Sequence, residues 1–296
     1  MLKSKNGKEL PMIALGTYPL KGNDAAYVVE TALKIGYRII DTSDDYQNED
    51  EIGNGWRNAE RKGYIKRDEI FLQTKISDNN TYKDDPLVGK FFCSNSEFMR
   101  RHTVDEIVKE KISTSLRKMQ TDYLDSVLIH LPYVDYYEEI WNTLVNLKKE
   151  GIIRQIGVSN FLERHIDNLK KYDNSPEINQ LYISPFGTKD KIREYCYSHD
   201  IQLMTYSPLT DLRNADLDFS VLGNIASKYN TSIPQIIIRW NIEMKSIPIV
   251  KSSKELRLKQ NFESLFLSLD KDDMSRIMRL NKNYQYMALS KMAPGL

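Results

Sequence analysis

Apolar and polar residues follow two different rhythms along this chain. Short runs rich in Ile, Val and Leu recur at 12–17, 38–41, 70–75, 124–130, 152–158, 178–182, 202–206 and 247–250. Their nearly continuous apolar character suits strands buried on both faces, as in a parallel sheet. Between them, apolar residues return every three or four positions at 24–35, 50–61, 104–119, 138–150, 162–171, 189–199 and 217–229, the spacing of amphipathic helices. One more helical stretch, 233–244, precedes the last strand, and two others follow it. Gly36 and Gly151 stand just past periodic stretches, where a left-handed residue ends a helix. Pro234 stands in the first turn of 233–244, where its missing N–H costs little.

Eight strand–helix alternations without a break in composition predict one α/β domain over 1–296: a (β/α)8 TIM barrel with an N-terminal β-hairpin and extra C-terminal helices. The hairpin rests on Asn6-Gly7, which predicts a tight turn between 2–5 and 8–11 and would plug the barrel bottom. A doubly wound nucleotide fold would need a Gly-rich turn after its first strand. Gly53-Asn54-Gly55 lacks the third glycine and lies within a helical pattern. Segment 77–102 breaks the rhythm: it follows the third strand on the face where barrels keep their chemistry, and it is far longer than a usual βα loop.

Composition narrows the function classes. Among 296 residues, 42 Lys and Arg balance 41 Asp and Glu, so no strong field exists to attract nucleic acid or a membrane surface. No apolar run reaches signal-peptide or membrane-spanning length. Two cysteines, Cys93 and Cys196, stand far apart, and four histidines show no metal-ligand spacing, so neither a disulfide framework nor a bound metal is expected. A cytoplasmic, monomeric protein is the expectation, with dimerisation left open.

Four ionisable residues, Asp41, Tyr46, Lys75 and His130, fall at or just beyond the ends of the second, third and fourth strands. Each alone has a plain explanation as helix cap, surface aromatic, solvated strand end or core histidine. In a barrel those strand ends converge on one mouth. A phenol of pKa about 10 is a poor acid near neutrality, but a neighbouring ammonium is expected to lower that value, with Asp41 orienting Lys75. His130 would position a carbonyl and share the charge growing on its oxygen. At 251–257, a hydroxyl and cations at a strand-to-helix junction suit an anion.

The chain resembles the aldo-keto reductases. The matching stretches are GYRIIDTSDDYQNEDEIG (36–53), IFLQTK (70–75), TDYLDSVLIHLP (121–132), GIIRQIGVSNF (151–161), INQ (178–180), TYSPL (205–209) and IPIVKSSKELRLKQNF (247–262). The resemblance implies NADPH-dependent reduction of a small-molecule carbonyl, with Tyr46 as proton donor, Lys75 and Asp41 as its tuning pair and His130 orienting the carbonyl. Ser159, Asn160 and Gln180 would hold the nicotinamide carboxamide, and Tyr206 would stack on its ring. Gly16, Thr17, Tyr18, Asp41, Ser207 and Leu209 complete that end of the cofactor site. Lys251, Ser252, Ser253, Arg257, Gln260 and Asn261 would take the adenosine 2′-phosphate end, favouring NADPH over NADH.

This sequence departs from the family pattern at several positions. Ile39 replaces a frequent His, Gln260 a Glu common near the adenine, and Asp211 a frequent Gly. The expected substrate pocket comprises Tyr18, Tyr46, Ser77, His130 and Leu131, with Ser77 and Leu131 at places often held by Trp. The inserted segment 77–102, with Tyr82, Phe91, Phe92 and Phe98, is expected to serve as the lid. The competing function is an NADPH-binding regulatory or structural barrel, disfavoured by the complete set of four. A barrel hydrolase or lyase would want a metal cluster or paired carboxylates, whereas Glu49 and Asp50 read as helix-start residues favouring the dipole.

Overall fold

The computed structural model describes residues 2–77, 102–132, 136–172 and 174–286. Eight parallel strands close into a barrel: β1 (Ala14–Gly16), β2 (Ile39–Asp41), β3 (Phe71–Ile76), β4 (Leu124–Ile129), β5 (Ile153–Ser159), β6 (Ile178–Tyr182), β7 (Gln202–Tyr206) and β8 (Ser246–Val250). Each pairs with its successor, and β8 pairs with β1. The helices among the described residues are α1 (Gly22–Ile35), α2 (Glu49–Arg61), α3 (Val104–Lys118), α4 (Tyr137–Lys149), α5 (Glu163–Leu169), α6 (Asp190–Ser198), α7 (Ser220–Lys228), α8 (Ile233–Glu243), α9 (Glu255–Glu263) and α10 (Lys271–Met278). The insertion, which covers most of 77–102, and the lid role expected of it lie outside the described residues.

The two faces of each strand explain the apolar runs. Outward residues such as Leu15, Ile40, Leu72, Val127, Ile156 and Leu203 join one large core with the helices. Inward residues Ala14, Ile39, Phe71, Leu128, Ile178, Met204, Ile247 and Ile249 form a second, smaller cluster within the barrel. Leu2 and Leu10 belong to that inner cluster and close its floor. Burying two leucines there contributes roughly 1.5–3 kcal/mol each. Above this apolar floor the same parity places Asp41, Gln73, Lys75, Gln180 and Tyr206 inward, so the polar residues gather toward the carboxyl ends of the strands.

Local signals set the ends of the elements. Gly36 has φ of +133° after α1, and Gly151 has +78° after α4. Thr103 Oγ1 accepts from the Glu106 N–H while Glu106 Oε2 accepts from the Thr103 N–H, a reciprocal cap for α3. The hairpin is smaller than expected. Only Lys3 and Glu9 pair as strand residues, and the turn spans three residues, with Gly7 alone at positive φ (+86°). The helix expected from 217 begins at Ser220, because Asp218 Oδ1 accepts the Ser220 N–H and holds the approach in a turn.

Candidate active site

Asp41 ends β2 and Lys75 lies near the end of β3, both with inward parity. Lys75 is fully buried, and its Nζ stands 2.8 Å from each Asp41 carboxylate oxygen and 2.8 Å from the Thr42 carbonyl. Asp41 Oδ1 also accepts from Gln73 Nε2 at 2.7 Å and Gln180 Nε2 at 2.8 Å. One carboxylate thus ties β2 to β3 and reaches across to β6. Tyr46 ends a short 3₁₀ turn after β2, with Lys75 Nζ 5.1 Å from its ring centre. His130, one residue past β4, presents its ring edge-on at 6.0 Å from the Tyr46 ring, and Tyr18 lies 5.1 Å from Tyr46 on another side. All four expected residues meet at one mouth.

The electrostatics differ from the expectation in one respect. The Tyr46 phenol is raised well above its usual range: burial contributes most, and Asp41 and Asp45 add to it. The ammonium does not lower it because Asp41 neutralises Lys75 at contact distance, leaving little net positive field at the ring. Burial lowers Lys75 itself, against the opposing pull of Asp41. His130 is pushed down to about 3 by burial and by the nearby Lys75 charge, so its imidazole is neutral. Near neutral pH the site therefore presents a protonated phenol beside an uncharged imidazole.

Two residues have different surroundings from those expected. Ser77 is 2% exposed and lies behind His130 instead of on a pocket wall, its Oγ 2.6 Å from His130 Nδ1 and 3.0 Å from Ser43 Oγ. Its backbone N–H donates to Asp44, and its carbonyl accepts from Lys111 Nζ. Lys111 also pairs with Asp44 at 2.7 Å, both side chains buried. Glu49 does start α2, but it is buried and accepts from Thr74 Oγ1 at 2.7 Å and Ser115 Oγ at 3.1 Å. Burial and then Asp44 raise its carboxyl to about 7. Gln73, Ser43, Asp44 and Lys111 went unnoticed in the sequence. The available signal was parity: a Gln two before Lys75, and a Lys on the apolar face of a helix.

The remaining positions fall into two groups. At the strand ends, Gly16 is packed so tightly that a Cβ there would meet Ile249 Cγ2 at 2.9 Å, and Thr17 Oγ1 donates to the Asp41 carbonyl at 3.0 Å. Tyr18 is 64% exposed at the rim, and Leu131 is half-buried beside His130. Ser159 Oγ donates to the Gln180 carbonyl at 3.0 Å, and Asn160 Nδ2 donates to Ser159 Oγ at 3.1 Å. Tyr206 donates to Asn160 Oδ1 at 2.9 Å. Ser207 has φ of +50°, Leu209 is half-buried, and Tyr286 from the C-terminal segment packs 4.8 Å from the Tyr182 ring. Asp211, the unusual residue of this loop, is buried and accepts from the Tyr182 hydroxyl. The second group sits at the β8–α9 junction. Lys251, Ser253, Arg257 and Gln260 are exposed there, while Ser252 and Asn261 are buried. Ser252 Oγ accepts the Lys254 N–H at 3.0 Å.

Comparison with known proteins agrees with the barrel fold. The profile described as "Aldo/keto reductase family" matches residues 12–282. An uncharacterized oxidoreductase of Bacillus subtilis, YtbE, is 36% identical over 94% of this chain and 91% of its own. The glyoxal reductase of the same organism is 35% identical over 95% and 93%. A Bombyx mori aldo-keto reductase solved in complex with NADP is 28% identical and superposes with a TM-score of 0.81, covering 98% of this chain and 95% of its own.

Proposed function

The chain belongs to the aldo/keto reductase family, and from that membership we propose that it reduces a small aldehyde or ketone to the alcohol with NADPH, Tyr46 supplying the proton. The observation that carries this is the convergence of Tyr46 and His130 over a buried Lys75–Asp41 pair. Glyoxal reductase among the relatives makes a short, polar aldehyde the substrate class to try first.

The residues present fit the nucleotide. Lys251 and Arg257 have no ion-pair partner among the described residues, and the first N–H groups of α9 lack a side-chain cap. Two free cations at an uncapped helix start suit a phosphate dianion. At the other end, Ser159, Asn160 and Gln180 form a polar shelf beside the Tyr206 ring, suited to the carboxamide and ring of a nicotinamide. Tyr18 and Leu131 at the rim would flank the substrate. When bound, NADPH supplies the hydride to the carbonyl carbon.

The chain's own residues do the rest. His130, neutral, orients the carbonyl without bringing a charge that would compete with Lys75. As the carbonyl carbon is reduced, its oxygen gains negative charge and becomes more basic than the phenolate. The proton then passes from Tyr46 Oη to that oxygen, and the tyrosinate is reprotonated from water. The raised phenol stays protonated throughout the neutral range, which suits the reducing direction. We further propose a cytoplasmic, monomeric enzyme, in keeping with a sequence whose two cysteines stand far apart.

The test is titration with NADPH and NADH by intrinsic fluorescence, followed by NADPH oxidation against short aldehydes that include glyoxal. Tighter NADPH than NADH binding is expected. Tyr46→Phe should cut kcat by about 10²–10⁴-fold while leaving NADPH affinity within about twofold. Binding without turnover on any carbonyl would point instead to a regulatory barrel. Failure to bind either nucleotide would overturn the cofactor and the activity together.

A further inference from the structure

We propose that Ser77, backed by Ser43, is a positioning residue that fixes the His130 tautomer with its proton on Nε2, the nitrogen left to meet the carbonyl oxygen. This role presupposes the reductase function described above and concerns how one of its groups is prepared.

The two serines form a short relay behind the imidazole. Ser77 Oγ lies 2.6 Å from His130 Nδ1, Ser43 Oγ lies 3.0 Å from Ser77 Oγ, and both serines are buried. Two proton arrangements satisfy the chain of atoms. In one, Ser43 donates to Ser77 and Ser77 donates to Nδ1, leaving the ring proton on Nε2. In the other, Nδ1–H donates to Ser77, Ser77 to Ser43, and Ser43 to Asp44 Oδ1.

Distances separate the two. The second arrangement needs the Ser43–Asp44 link, which is 3.4 Å, beyond the 2.5–3.0 Å of an effective hydroxyl bond. Asp44 is moreover already engaged by Lys111 and by the Ser77 N–H. In the first arrangement every link lies within range, and 2.6 Å suits a hydroxyl donor better than an imidazole N–H, whose bonds to oxygen run about 2.7–3.2 Å. The ring has one proton to place, because it is neutral. Nε2 makes no hydrogen bond to the described residues, so it remains available to donate to the substrate.

Ser77 is well suited to this task because its backbone is held independently of its hydroxyl. The N–H on Asp44 and the carbonyl on Lys111 survive removal of Oγ. Ser77→Ala is therefore expected to fold, and Ser43, 3.4 Å from Nδ1, is the next hydroxyl among the described residues that could swing in to substitute. The double variant Ser43→Ala/Ser77→Ala removes that rescue.

Full-length protein labelled with [15N]histidine and loaded with NADP+ gives the direct readout, because long-range 1H–15N NMR separates bare from protonated ring nitrogens. His130→Gln assigns the signals. The wild type should show Nδ1 bare and Nε2 protonated. The double variant should show mixed tautomers and about a tenfold lower kcat, the effect of one lost neutral hydrogen bond, with NADPH affinity within about twofold. Ser77→Thr, which keeps the hydroxyl, should restore both. A proton on Nδ1 in the wild type overturns the proposal, as does a double variant with unchanged tautomer and kcat. A chain that neither binds NADPH nor turns over aldehyde sinks the reductase function instead, and the spectrum of the free protein still decides the tautomer.

Discussion

Glu49 holds a carboxyl where water does not reach, with two hydroxyls donating to it and Asp44 close enough to oppose its charge. Its pKa rises from the ordinary 4.5 to about 7. Between those values the folded chain keeps a proton that the unfolded chain has lost. The stability from this group is therefore complete below the unfolded value and drains away as pH climbs through 7, by about 3 kcal/mol at the limit. Glu49→Gln, neutral at every pH, should flatten that loss: melting followed from about pH 5.5 to 8 should show a smaller fall than the wild type. Equal slopes would show that Glu49 does not titrate there. The four residues at the mouth were legible in the sequence because their types and strand-end positions carry the information. The environments of Glu49 and Ser77 were not, since burial arises from α2, α3 and β3 coming together and leaves no mark at either residue alone.

At the scale of elements, the glycines of α2 show how close packing resembles a binding motif. Gly55 lies against α1 so closely that a Cβ would meet the Ala26 carbonyl at 2.7 Å and Val29 Cβ at 2.7 Å. Gly55→Ala should cost about 1–3 kcal/mol by forcing the two helices apart. NADPH affinity of the folded fraction should not change, because the glycine serves to pack α2 against α1. A weakened NADPH affinity with unaltered melting would reverse that assignment. Strand positions were readable because a strand buried on both faces must be apolar nearly throughout. Helix starts were less so: at 217–219 apolar residues continue the helical spacing, yet the Asp218 side chain captures the backbone N–H that a helix would need.

For the whole molecule, the barrel walls and the proposed chemistry share one carboxylate. Asp41 receives Gln73, Lys75 and Gln180, from β3 and β6, and its own backbone carbonyl receives Thr17 after β1. Asp41→Asn should destabilise the protein by about 3–5 kcal/mol, because it strands a buried ammonium. Denaturant unfolding will measure this, and unaltered stability would show that Lys75 finds another partner. The closed barrel was legible from eight alternations. The crossing of its lumen by a single side chain was not, because β2 and β6 lie 139 residues apart at this bond. Such sharing bears on how the sequence is free to drift. An exposed rim residue such as Tyr18 can be exchanged with little loss of packing. Asp41 answers to three strands at once, so if it also serves the proposed reaction, no single substitution can retune the chemistry there without loosening the walls. Diversification is thereby channelled outward, toward new substrates handled by an old reaction.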